Sequence, residues 1–187
     1  MEPVAGRKTV YLTFDDGPEA STTPFVLDTL DRFGCKATFF MVGENVGRHP
    51  GLVEEIAARG HAVGNHAMRH LKGLKTSTRR YIADIEKESA LLPTRLFRPP
   101  DGFMRPRQYL ELRRRYRIVM FDVVTRDYDP RLSPNQVMEN LTRHVGDGSI
   151  VVFHDSLKAR RNLLGVLPKA LEWLKQNGYE CRPLPMD

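Results

Sequence analysis

Thr9-Val10-Tyr11-Leu12-Thr13-Phe14-Asp15-Asp16-Gly17-Pro18 reads as a buried strand that runs straight into a sharp turn. Its β-branched and aromatic residues suit a covered strand. Gly17-Pro18 then ends the ladder, because Pro has no N–H to donate and Gly permits unusual dihedrals. Within a regular strand, Asp15 and Asp16 would point to opposite faces. At the strand's last residues, the turn can bring both into one pocket. Like charges buried side by side are costly, so a positive group belongs between or beside them, and a metal ion meets that need. Two acids before Gly-Pro also suit an ordinary solvated turn, and the histidines further along tip the balance.

Outward from this stretch, strand and helix patterns alternate. Strand-like runs fall near residues 9–14, 37–42, 61–63, 95–97, 117–121, 149–153 and 179–182. Thr22-Thr23-Pro24 starts a helix with a capping hydroxyl and a proline in the first turn. Pro50 and Gly60 bracket a second helix, and Ser77 caps a third that runs through Leu92. Pro106 opens the segment to Tyr116, and Ser133-Pro134 opens the one before Gly146. Leu163 to Gln176 is amphipathic and stops at Asn177-Gly178. Seven strands alternating with helices imply a parallel sheet, but pattern alone does not separate a barrel from a doubly wound sheet.

Gly64-Asn65-His66-Ala67-Met68-Arg69-His70 holds two histidines four apart, a spacing that sets both imidazoles on one side of a helical turn. One Asp and two His make a three-ligand site with positions left open for water and substrate. That openness marks a catalytic rather than a structural metal.

Thr13 to Pro18, His66 to His70, Arg98-Pro99-Pro100-Asp101-Gly102, Thr125-Arg126-Asp127-Tyr128 and Val152-Phe153-His154-Asp155 occur in that order. Together they resemble the five motifs of the polysaccharide deacetylases, the NodB-homology domains of carbohydrate esterase family 4, over about Lys8 to Tyr179. The resemblance implies a single domain over residues 1–187, folded as a distorted, incomplete (β/α) barrel of about seven parallel strands. It implies a metal-dependent amidase that removes N-acetyl groups from N-acetylglucosamine-containing glycans such as peptidoglycan or chitin-type oligosaccharides. Asp16, His66 and His70 would hold one divalent metal, zinc foremost, with cobalt and nickel as alternatives. Asp15 would be the general base and His154 the general acid. Arg98 would hold Asp15, and Asp127 would orient Arg98 or His154. The backbone amide of Asp101 would help hold the oxyanion, with Pro100, Tyr128 and Val152 beside the substrate.

Amide hydrolysis explains this set. A zinc ion polarises the carbonyl and brings bound water to a pKa of about 7. A carboxylate within reach takes the water's proton, and a histidine titrates in the range needed to protonate the leaving amine. After Pro99-Pro100, which supply no N–H, the next free amide is that of Asp101, on a loop stiffened by two fixed φ angles. Four positions depart from the family pattern: Ala67 where a Ser or Thr is usual, Asp101 where an aromatic is common, Val124 where an Asp often stands, and Tyr128 where a Trp is usual. None removes a ligand, the base or the acid, so the departures bear on substrate preference. Two readings compete: a deacetylase of an ester such as acetylxylan or of a small N-acyl compound, and a catalytically silent glycan-binding module, which would have no use for the acid and base.

A chain of 187 residues fits one domain with a real core. The formal charge of +6 draws on clusters at Arg79-Arg80, Arg113-Arg115 and Arg160-Arg161, which suit solvated helix faces and a mild attraction to anionic glycans. No nucleic-acid motif accompanies them, so the expected partner is a glycan, met by a monomer. No apolar run is long enough to span a membrane. Met1-Glu2-Pro3-Val4-Ala5-Gly6-Arg7 lacks the apolar core of a signal peptide. The expected compartment is therefore cytoplasmic for a complete chain and extracytoplasmic if a leader was removed. Cys35 and Cys181 are far apart and outside any CxxC; buried reduced thiols are the default reading, with a disulfide also compatible.

Overall fold

The computed structural model describes residues 8–185. Its strands are β1 (Lys8–Asp15), β2 (Thr38–Met41), β3 (Ala62–Asn65), β4 (Leu96–Phe97), β5 (Arg117–Ile118), β6 (Val123–Val124), β7 (Ile150–His154) and β8 (Tyr179–Cys181). Its helices are α1 (Thr23–Phe33), α2 (Gly43–Arg48), α3 (Pro50–Ala58), α4 (Thr78–Ser89), α5 (Pro106–Leu112), α6 (Pro134–His144) and α7 (Arg160–Gln176). The sheet runs β5-β4-β3-β2-β1-β7-β6, and β8 pairs with the first residues of β1. Every pairing is parallel, as βαβ crossovers require.

The two ends of that path, β5 and β6, are separated in the chain only by residues 119–122. The sheet therefore curls round to bring its edges near each other, and no ladder joins them among the described residues. This is the distorted, incomplete (β/α) barrel. One strand differs from expectation. The run 117–121 was expected to be a single strand, but β5 stops at Ile118 and an unanticipated two-residue strand, β6, starts at Val123. The reason is the Arg98 side chain, which takes the carbonyls of Val119 and Met120 (3.4 and 3.3 Å) and so draws them toward the barrel interior instead of into a ladder.

Alternation along β1 separates two packing layers. Val10, Leu12 and Phe14 are fully buried against the helices, where Phe14 stacks between Phe39 and Phe153 at 5.1 and 5.8 Å. Tyr11, Thr13 and Asp15 share the opposite face, inside the barrel, where Phe40, Leu96 and Val119 form a smaller cluster.

Prolines open α1, α3, α5 and α6 as expected. Ser133 makes a capping box with Gln136, but Thr22 and Ser77 make no side-chain cap; the Thr22 hydroxyl donates instead to the Glu19 carboxylate at 3.3 Å. α7 starts before the expected Leu163 and carries Pro168 inside it. Cys35 and Cys181 are free and buried, and the Cys35 thiol lies 3.9 Å from the Phe33 carbonyl. No helix among the described residues is long and apolar enough to cross a membrane. The stretch read for a leader, residues 1–7, lies outside the described residues.

Candidate active site

Parallel register gathers the chemistry at one mouth of the barrel. Asp15 closes β1 opposite His154, which closes β7, and Asn65 at the end of β3 pairs with Phe97 at the end of β4. The next residues, His66 and Arg98, therefore leave their strands at the same level, on the rim where sites of such barrels form.

Asp16 takes a left-handed backbone (φ 78°). Its amide donates to Phe40 O at 3.1 Å, and its carbonyl accepts from Asn45 Nδ2 at 2.7 Å. This turn keeps the Asp16 carboxylate on the same side as that of Asp15. Asp16 Oδ1 lies 3.7 Å from His66 Nε2 and 3.3 Å from His70 Nε2. One donor atom from each of the three residues lies within 4.8 Å of the others.

The two histidines are not on a helix, contrary to the reading from their spacing. After β3 the chain forms a loop with left-handed Ala67 (φ 67°) and His70 (φ 52°). Its amides are claimed from outside. Glu88 accepts from His66 N at 3.1 Å, Asn65 Oδ1 from Ala67 N at 2.9 Å, and Asp84 from Arg69 N at 3.0 Å. With its donors so engaged, the segment has no helical ladder to form. The buried Glu88 carboxyl is pushed well above the usual carboxylate range by burial.

These residues fit a divalent cation. His66 Nδ1 lies 2.8 Å from the Arg98 carbonyl, which can only accept, so Nδ1 donates and Nε2 offers its lone pair to the cluster. One carboxylate and two imidazoles match the ligand set of an open catalytic zinc site. Burial lowers the pKa of His66 and of His70, which keeps both rings in the neutral form that binds metal.

Arg98 is fully buried. Its Nη1 donates to Asp15 Oδ1 at 2.8 Å and to Thr13 Oγ1 at 2.6 Å, and its guanidinium lies 4.2 Å from the Phe40 ring centre. Burial alone would raise the Asp15 carboxyl, but Arg98, with His66 and His154, holds it below its ordinary value. Asp127 engages His154 and not Arg98: its two oxygens take His154 Nδ1 and the His154 backbone N–H, each at 2.8 Å. Burial would lower His154, yet the bond to Asp127 and its charge raise it to about 9. Nδ1 is thus the donor to Asp127, and Nε2 is left for the cleft.

A cleft of about 420 Å³ joins these groups, and Asp101, Val124, Tyr128 and Val152 line it. Pro100 is buried and does not line it. Asp101 is left-handed (φ 59°); its carboxylate pairs with Lys72 at 2.6 Å, and its amide has no acceptor among the described residues. The Tyr128 ring meets His154 edge-on at 4.7 Å and carries Lys158 Nζ 5.2 Å from its centre. Sequence reasoning missed Thr13, Glu88, Asp84, Lys72 and Lys158. A signal existed for the acids on α4. Asp84 and Glu88 lie on the same helical stripe as the buried Tyr81 and Ile85, where a carboxylate needs a specific partner.

The chain is similar to known proteins over most of its length. The family described as polysaccharide deacetylase matches residues 3–121. A peptidoglycan-N-acetylglucosamine deacetylase of Bacillus cereus is 35% identical over 183 residues, covering 92% of this chain and 84% of that protein. The peptidoglycan-N-acetylglucosamine deacetylase PgdA of Listeria monocytogenes is 36% identical over 181 residues, 93% of this chain but only 37% of the longer relative. A chitooligosaccharide deacetylase of Bradyrhizobium is 30% identical over 208 residues, covering 97% of this chain and 91% of that protein. The solved structure of the Bc1960 peptidoglycan N-acetylglucosamine deacetylase superposes with a TM-score of 0.90 at 30% identity, over 96% of this chain and 87% of that one. Family match, relatives and barrel agree, and the chain belongs to the polysaccharide deacetylases, the NodB-homology domains of carbohydrate esterase family 4.

Proposed function

We propose that this chain acts as a monomer that hydrolyses the N-acetyl group of N-acetylglucosamine units in a peptidoglycan or chitin-type glycan, with Asp15 as base and His154 as acid. One observation carries the reading. Asp15 and His154 are register partners at the ends of neighbouring strands beside the three-ligand cluster, and their environments drive them oppositely, Asp15 toward the ionised form and His154 toward the protonated one. Two titratable groups tuned apart in one cleft are the signature of an acid–base pair.

Asp16, His66 and His70 would hold a divalent cation, zinc foremost, which would supply Lewis acidity toward the acetamide carbonyl and a more acidic water. Asp15, fixed through Oδ1 by Arg98, presents Oδ2 toward His66 at 4.0 Å and takes the water's proton there. The free amide of Asp101 donates to the carbonyl oxygen as charge builds on it. His154, its Nδ1 bonded to Asp127, delivers a proton from Nε2 to the departing nitrogen. Val124, Val152 and Tyr128 supply the apolar wall for the acetyl methyl. The names of the relatives favour a glycan amide, and those relatives divide between peptidoglycan and chitooligosaccharide.

An acetate-release screen on chitin oligomers, peptidoglycan fragments and acetylxylan tests this, together with metal analysis of the purified protein. Release from the N-acetylated glycans that is lost with a chelator and restored by zinc, cobalt or nickel is expected. Release from acetylxylan alone would favour the ester reading. Glycan binding without any release would leave a binding module.

A further inference from the structure

Next to the catalytic cleft lies a second depression, of about 460 Å³, lined by Pro99, Phe103, Met104, Tyr109 and Met120 among others. The two share Gly102 as their common wall. Gly102 is left-handed (φ +76°), and a Cβ there would stand 2.9 Å from Phe121 Cζ, so only glycine gives this low, close-packed sill. Phe103, Tyr109 and Met120 are 63%, 44% and 44% exposed, and they are three of the seven large apolar side chains left open on the described surface. Such side chains gathered in one place mark a recognition surface more than chance exposure does.

The chemistry of the two depressions differs. The cleft carries aspartates, histidines and lysines, whereas no residue lining the second depression is charged. A surface of two exposed aromatic rings with Met and Pro suits the C–H face of a neutral pyranose, amphipathic like the rings themselves. A polymer whose acetamide occupies the cleft must leave it, and the Gly102 sill opens directly onto this surface.

We infer that Phe103, Tyr109 and Met120 form a sugar-binding subsite for the residue of the glycan chain next along from the one being deacetylated, which makes this face a reader of chain length. The inference rests on the deacetylase reading for its substrate. A lone N-acetylated sugar, held by the cleft, cannot use this surface, and a longer chain can.

The test compares N-acetylglucosamine itself with the N-acetylchitooligosaccharide of six sugars as substrates for the full chain and for Phe103→Ala, Tyr109→Ala and Phe103→Trp. Wild type is expected to favour the longer chain in kcat/KM. Each alanine variant should cut the long-to-short ratio by about tenfold, through KM and not kcat, and Phe103→Trp should keep it. Calorimetric binding of the six-sugar oligomer reads the subsite without turnover, and a similar loss of affinity in Phe103→Ala is expected. If the wild type binds the oligomer through Phe103 yet releases no acetate from it, the subsite stands and the deacetylase reading fails. No length preference, an equal loss on both lengths, or unaltered oligomer binding in both alanine variants would overturn the subsite. So would a dimer in sedimentation that Phe103→Ala dissolves while the length ratio stays fixed, because the patch would then be a protein interface.

Discussion

Arg98 Nη1 donates to Asp15 Oδ1 at 2.8 Å, and the two side chains are only 0% and 6% exposed. A buried pair of this kind contributes little net stability, because desolvation of both ions offsets their attraction. It does fix geometry: Arg98 occupies one oxygen of Asp15 and favours the ionised carboxylate, with the other oxygen 4.0 Å from His66 Nε2.

Asp15→Asn removes the proton acceptor but keeps the shape. Turnover should fall about 10³-fold, the usual contribution of a general base, while glycan binding persists. Acetate release and titration calorimetry on the same preparation check both halves. Turnover that survived would move the base role to another residue.

Arg98→Met strands the Asp15 charge inside the barrel and frees the carbonyls of Val119 and Met120. The expected loss at neutral pH is about 3–5 kcal/mol in urea unfolding. Adding Asp15→Asn to that variant should recover a large part of it, because the unpaired charge is then gone. Arg98→Lys should not restore wild-type behaviour, since an ammonium cannot reach all four of these acceptors.

Asp127→Asn removes the charge that keeps the His154 imidazolium stable. His154 must carry its proton to act as acid, so activity is held as pH rises toward its pKa of about 9 and lost beyond it. Without the Asp127 carboxylate that limb of the kcat/KM profile should move to lower pH. An alkaline limb in the same place would assign it to a group other than His154.

Asp155 gives a pH signature in stability. Burial raises its carboxyl to about 7, Thr23 Oγ1 donates to Oδ2 at 2.5 Å, and Oδ1 has no partner. Because the folded value lies above the unfolded one, near 3.8, its favourable contribution is complete below about pH 4 and is lost as pH rises through 7. The span is at most about 4 kcal/mol. Asp155→Asn should flatten the fall in Tm between pH 4 and 7; an unchanged slope would place that titration elsewhere. Gly17→Ala tests the same packing, since its Cβ would stand 2.6 Å from Asp155 Oδ2. A loss of about 1–3 kcal/mol is expected.

Much of this was legible in the chain. The β/α alternation, the prolines that open helices, and the acids at the end of β1 are local, and local chemistry expresses itself locally. The failures share one cause. His66 and His70 have helical spacing, but Glu88 and Asp84 take amides of that segment, at His66 and Arg69. Residues 119–121 have strand composition, but Arg98 takes two of their carbonyls. In each case a side chain remote in sequence competes with the backbone ladder and wins, and propensity carries no term for that.

By itself the sequence determined which groups were available: two adjacent carboxylates, a histidine pair, an arginine before two prolines, and a histidine closing an apolar strand. The tertiary structure alone decided what each group faces. Asp127 serves His154 and not Arg98, Arg98 closes the interior of an unclosed barrel, and Gly102 joins the cleft to an aromatic shelf. These outcomes follow from parallel strands ending at one level, which brings Asp15 and His154, 139 positions apart in the chain, into register. Ordering along the chain sets the supply of donors and acceptors, and only packing in three dimensions sets their partners, because burial obliges each polar group to find one.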